Sequence, residues 1–194
     1  MEKEQMNSEE SLAIIRKMIL NAKEDLEDKS FYYLLWGWFV FAACIIHFIL
    51  IRISSPLEGI SWAVLMPVGA IISLIYGYKQ DKKQRVKTYI DEIMKYVLIA
   101  FLSSLFMVLF FMGKLELSTY PMVMLIYGIW LFISGGALKF RPLIIGGIIN
   151  WLLGAVAFFV NFEQQLLLLA IAVLLGYIIP GHMLRVKHQQ KSAA

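Results

Sequence analysis

The chain has 194 residues, of which 60% are hydrophobic and 16% charged, where a soluble domain carries about 25% charge. The charges fall in blocks between long apolar runs, which excludes an ordinary globular protein, and the net charge of +4 belongs to those blocks. Cys44 is the single cysteine and lies in an apolar run, which excludes an intrachain disulfide framework, a cysteine zinc site and a paired redox motif.

This patterning predicts an all-α polytopic membrane bundle of six transmembrane helices, arranged as three helical hairpins and preceded by a cytoplasmic amphipathic helix. Residues 1–29 form the amphipathic segment, 30–184 the transmembrane domain and 185–194 a basic cytoplasmic tail. In the first segment Leu12, Ile15, Ile19, Ala22 and Leu26 recur at spacings of 3 and 4, one apolar stripe on a helix. Asn7 followed by Glu10 resembles a capping box ahead of it. The segment holds five basic and eight acidic residues, whereas a helix built to lie on anionic lipid is basic on its polar face. Protein is therefore the expected cover for the stripe: the chain's own loops, a second copy or another partner. No long apolar h-region precedes residue 30, so the first span serves as the insertion signal.

Six spans follow, near 31–51, 60–78, 96–112, 121–138, 143–160 and 166–184. Tyr32, Tyr33, Trp36 and Trp38 crowd the start of the first, as an interfacial aromatic belt does. Residues 52–59, 113–120 and 161–165 read as short turns, with Pro121 and Pro142 placed as helix starts. Pro67 interrupts the second span, and Pro180 reads as lying near the end of the sixth. Orientation follows from Lys and Arg by side. The 1–29 segment, the 79–95 and 139–141 loops and the tail hold sixteen, the opposite turns only Arg52 and Lys114. Both termini are thus expected in the cytoplasm, with the bilayer as the first partner.

Gly37-Trp38 and Asn150-Trp151 occupy similar places in the first and third hairpins, a weak sign of repetition. The strings SFYYLLWGW (30–38), KKQRVKTYIDE (82–92), YPMVMLIYG (120–128) and GGIINWLLGAVAFF (146–159) resemble those of an uncharacterised bacterial six-helix integral membrane protein family. The resemblance covers nearly the whole chain and implies the same topology and a bacterial plasma (inner) membrane. It brings no activity, cofactor or catalytic residue.

Ionisable side chains inside a membrane are costly and mark function where they occur. None of the six spans contains Asp, Glu, Lys or Arg, so the usual carboxylate centre of a coupled transporter is missing. His47, near the outer end of the first span, has no acidic or histidine partner at ligand spacing, so it reads as an interfacial or hydrogen-bonded residue, with a proton or metal site as the functional alternative. Asn150 lies well inside the fifth span, flanked at four-residue spacing by Gly146 and Gly154. Gly69, Ser73 and Gly77 make a second small-residue stripe. Close helix packing accounts for both stripes, and a polar cavity lined by Asn150, serines and tyrosines is the alternative. Lys79, Lys82, Lys83, Arg85 and Lys87 form a juxtamembrane cluster suited to anionic lipid headgroups, with no base-reading motif that points to nucleic acid. No nucleophile elbow, phosphate-binding loop or HExxH motif is present. The expectation is a non-enzymatic protein without cofactor or metal, acting through association.

With Cys44→Ala as background, a cysteine at position 58 or 116 should react with an impermeant maleimide added to intact cells. Labelling only after the cytoplasm is opened would reverse the assigned orientation.

Overall fold

The computed structural model describes residues 8–81 and 89–193, with side chains described for 30–80 and 89–186. All regular structure among these residues is helical: α1 (Ser8–Arg52), α2 (Ile60–Asp81), α3 (Tyr89–Phe110), α4 (Met112–Leu115), α5 (Thr119–Ala137), α6 (Arg141–Ala157), α7 (Phe162–Val173) and α8 (Ile179–Ala193). A 3₁₀ turn, Glu116–Ser118, leads into α5, and a π turn, Leu174–Ile178, joins α7 to α8. Five stretches are long and apolar enough to cross a membrane: Ser30–Arg52, Ile60–Gln80, Tyr89–Phe110, Met112–Ala137 and Phe162–Val186. The sixth apolar helix, Arg141–Ala157, has 17 residues and rises about 25 Å at 1.5 Å per residue. That falls a few Å short of a hydrocarbon core of about 30 Å.

Several boundaries differ from the sequence reading. The amphipathic segment and the first span are one helix of 45 residues, because nothing between Ser8 and Trp36 breaks a helix. The stripe residues Leu12, Ile15, Ile19, Ala22 and Leu26 lie on that backbone, but their side chains are outside the described residues, as is Asn7. The stretch read as a turn before Tyr120 is helical, so Pro121 is the third residue of α5 and not the first. Pro142 does sit in the first turn of α6. α3 begins at Tyr89, so Ile90, Ile93 and Met94 lie on a helix that runs into the third span, as their spacing suggests, while α6 ends at Ala157 where the chain turns at 158–161. Pro180 is inside a helix that continues to Ala193. Proline lacks an N–H and crowds the carbonyl four residues earlier, here Gly176. The π turn relieves that crowding, and its wider ring closes from Ile179 N–H to Leu174 O.

Two helix ends are closed without glycine. After α5, Phe140 N–H bonds Gly135 O and Lys139 N–H bonds Gly136 O, with Lys139 at φ 50°. After α1, Ser55 N–H bonds Leu50 O and Ser54 N–H bonds Ile51 O, with Ser54 at φ 51°. Both are Schellman closures that place an ordinary residue in the left-handed region, and both make tight turns of few residues.

α1, α5, α6 and the α7–α8 unit pack around a core of Val40, Cys44, Met124, Leu131, Leu143 and Leu169. α5 and α6 pack most intimately, at backbone distance. A Cβ on Gly147 would stand 2.8 Å from Gly128 O, and one on Gly146 would stand 2.7 Å from Gly176 Cα. Only a residue without a side chain fits such crossings. α2 packs chiefly on α1, and α3 chiefly on α5. No residue of α3 is buried; its least exposed positions, Asp91, Met94, Val97, Phe101, Leu105 and Val108, form one narrow stripe. The outer faces of both helices expose Val64, Ile71, Leu74, Leu102, Phe106 and Phe110, an apolar surface that hydrocarbon suits and water does not.

Gly146→Ala should cost about 1–3 kcal/mol, because the new methyl group meets backbone that has nowhere to go. Gly136→Ala has no heavy atom within 4 Å of the new Cβ and should leave the melting temperature in detergent unchanged or raised. Equal melting behaviour of the two variants would refute the close crossing.

Candidate functional site: polar groups inside the bundle

Three groups of polar side chains lie inside the apolar bundle. The deepest is Asn150 on α6, fully buried. Its Nδ2 donates to Gly146 O at 2.9 Å, one turn back, and to Ala172 O on α7 at 3.1 Å. The second bond falls beside the π turn, where the helical ladder is loosened. A Cβ on Gly176 would come within 2.5 Å of that same Nδ2, so the glycine is what admits the amide. Trp151, next in sequence, crosses the other way and donates from Nε1 to Leu125 O on α5 at 3.1 Å. α6 is therefore tied to helices on both sides by consecutive residues.

Around the π turn, Tyr177 stands between two other tyrosines, 6.1 Å from Tyr33 and 5.4 Å from Tyr127 between ring centroids. The Tyr33 hydroxyl shares a hydrogen bond with Ser134. Among the described residues, Tyr177 Oη and Asn150 Oδ1 are buried without a partner.

The second group was not legible as a site in the sequence. Gln165, placed there in a turn, is fully buried in the first turn of α7. Its Nε2 donates to Leu117 O at 2.8 Å, Ala157 O at 3.0 Å and Val160 O at 3.3 Å. One amide thus gathers carbonyls from the end of α6, the following turn and the 3₁₀ turn before α5. The signal that locates it is Asn161, whose Oδ1 accepts from Gln164 N–H at 3.2 Å and caps the helix. A helix started at Phe162 carries Gln165 inside.

The third group lies where α1 meets α2. Ser61 Oγ–H donates to Ala43 O at 3.1 Å, and Trp62 Nε1–H donates to His47 Nδ1 at 2.9 Å. His47 is buried at 7% exposure, so it is held inside the helix contact and is not an open interfacial residue. Beyond it, Arg52 pairs with Glu163 at 3.0 Å and covers the Phe48 ring at 5.2 Å.

The remaining sequence candidates are packing residues. Gly69 lies against Phe39 and Trp36, and Gly77 against the Tyr32 hydroxyl, so that face of α2 is its seat on α1. Ser73 between them has a buried hydroxyl without a partner among the described residues. Gly154 faces Met124 and the Pro121 carbonyl of α5. Gly146, Asn150 and Gly154 share a face by spacing, yet they serve two neighbours: α7 with its π turn, and α5. Lys79 is exposed in the last turn of α2, while Lys82, Lys83, Arg85 and Lys87 lie outside the described residues. No group of three His, Cys, Asp or Glu side chains able to hold a metal occurs among the described residues.

What this arrangement does chemically is hold helices together. Amide and indole N–H groups are spent on carbonyls and on one imidazole. Compared with known proteins, the chain matches no family model, no curated protein and no solved structure.

Asn150→Leu should lower the melting temperature in detergent, since it removes the amide's bonds to Gly146 O and Ala172 O; a buried hydrogen bond contributes about 0.5–1.5 kcal/mol net. Gln165→Leu removes bonds to three carbonyls and should cost at least as much. Unchanged melting in both variants would mean that these amides do not hold the bundle.

Proposed function

We propose that the chain is a non-enzymatic, multi-pass protein of the bacterial plasma membrane that acts through protein association, with both termini in the cytoplasm. The observation that carries this reading is the continuity of α1. Its membrane-spanning part is Ser30–Arg52, and residues 8–29 prolong the same helix by about 33 Å at 1.5 Å per residue. A helix of that length outside the bilayer, with five apolar residues on one side and a net acidic charge, suits a protein surface better than an anionic lipid surface. The bias of Lys and Arg supports the orientation. The 79–87 cluster is suited to lipid headgroups on the same side.

A small-solute transporter or pore is the second reading. The buried hydroxyls of Tyr177 and Ser73 favour it, as polar atoms that a solute or water would satisfy. Asn150 weighs against it, because its donor group is already committed to Gly146 O and Ala172 O. Backbone contact at Gly146 and Gly176 also leaves no room for a path beside it.

Ile15→Glu combined with Ile19→Glu should leave insertion and span topology intact while removing the association. Native mass spectrometry in mild detergent, with identification of copurifying proteins, should show a lower assembly mass or the loss of a partner. Identical mass and identical partners in the double variant would reject the stripe as the contact surface.

A further inference from the structure

α2 lies at the edge of the bundle: of residues 60–80, only Ser61 and Gly69 are buried. Its N-terminal end meets α1 through the adjacent bonds of Ser61 and Trp62. The second bond has a property the first lacks. An indole nitrogen only donates, and an imidazole nitrogen accepts only while it carries no proton. His47 Nδ1 accepts from Trp62, so this contact belongs to the neutral ring. The imidazolium presents N–H on both nitrogens, and Trp62 has no acceptor atom to answer it.

We propose that His47 and Trp62 form a proton-operated latch between α1 and α2, closed while His47 is neutral and opened when a proton on Nδ1 breaks the bond. The surroundings suit this role. Phe162 of α7 meets His47 edge to face at 5.5 Å, Tyr120 of α5 meets Phe162 at 5.3 Å, and Trp62 meets Tyr120 at 6.0 Å. These contacts and the His47–Trp62 bond close a ring of four side chains from α1, α7, α5 and α2. The titratable and charged groups around it are Cys44 and Arg52 on α1, Glu58 in the turn before α2, Tyr120 on α5 and Glu163 on α7. Arg52 is engaged with Glu163. Glu58 is exposed in the turn before α2. Arg52 and Glu58 are both open to solvent at this end, which gives a proton a short way in. Opening is confined to this end of α2, because Gly69 on Phe39 and Trp36 and the Phe31–Tyr76 stack hold the rest of the helix on α1. The inference goes beyond the association reading and does not rest on it.

The bond belongs to the neutral ring, so the contact is present at high pH and lost as pH falls through the titration of His47. The test uses the full chain in nanodiscs with ¹⁵N-labelled indoles, followed from pH 8 to pH 5. The Trp62 resonance, assigned by its absence in Trp62→Phe, should move with a single midpoint while those of Trp36, Trp38, Trp130 and Trp151 hold still. In His47→Gln the side-chain carbonyl accepts from Trp62 at every pH, and the resonance should not titrate. Spin labels on exposed Val64 of α2 and Val156 of α6, in a Cys44→Ala background, should read a longer or broader distance at pH 5 than at pH 8. That change should be absent in His47→Gln. A Trp62 resonance that stays fixed in the wild-type chain, or that titrates equally in His47→Gln, overturns the latch. So does a label distance that is the same at both pH values, a measurement that needs neither position 47 nor 62 altered.

Discussion

Hydrocarbon offers a backbone N–H or C=O no water to bond, and this constraint shapes the whole chain. Helices satisfy their own middles and leave their ends open. The two buried amides of this bundle stand where the helical ladder is interrupted. Gln165 collects carbonyls at the end of α6, in the turn that follows and at the 3₁₀ turn before α5. Asn150 donates beside the π turn. The Schellman closures at Ser54 and Lys139 do by backbone alone what the amides do by side chain. Polar residues placed this way answer a structural need created by the solvent, and the same groups in water would be interchangeable with it.

The interior divides unevenly. α5 and α6 cross at glycines, and α6 meets the π turn at Gly146 and Gly176, so backbone stands against backbone with no side chain to compress. α2 and α3 hang on the outside of this unit by one face each. The tightest crossing, α5 on α6, joins the second and third of the hairpins read from sequence. It therefore cuts across the idea of three equivalent hairpin repeats, although consecutive spans do pack together. A rigid part and two peripheral helices within one small domain give the chain a place that can move without unfolding the rest.

Five helices long and apolar enough to span were legible because a run of about twenty residues without charge has one physical explanation in a chain this apolar. The places where reading failed share a cause: composition reports the solvent around a segment, whereas backbone continuity depends on local breakers. Residues 8–29 and 30–52 differ sharply in polarity and are still one helix, because neither Lys29 nor Ser30 interrupts it. Pro180 read as an end, yet the π turn that ends two residues earlier accommodates it. Gln165 was hidden by a turn drawn past the capping Asn161. Asn150 was found, since an amide in an apolar run stands out, but its partners are main-chain carbonyls that no side-chain pattern encodes. His47 was judged by the ligands it lacks, and its actual partner is an indole.

That last point bears on how buried titratable groups in membranes are read. A search for acids and second histidines asks whether a proton or metal has somewhere to go. The bond from Trp62 asks a different question, which is what the proton would displace. A donor-only partner makes the neutral ring part of the helix contact, so a proton on Nδ1 removes that bond directly and not through intervening residues. Ser61, one residue away, provides the contrast: its hydroxyl donates to a carbonyl that never titrates in this range. Of the two bonds that fasten this end of α2, one is indifferent to protons and the other is conditional on their absence.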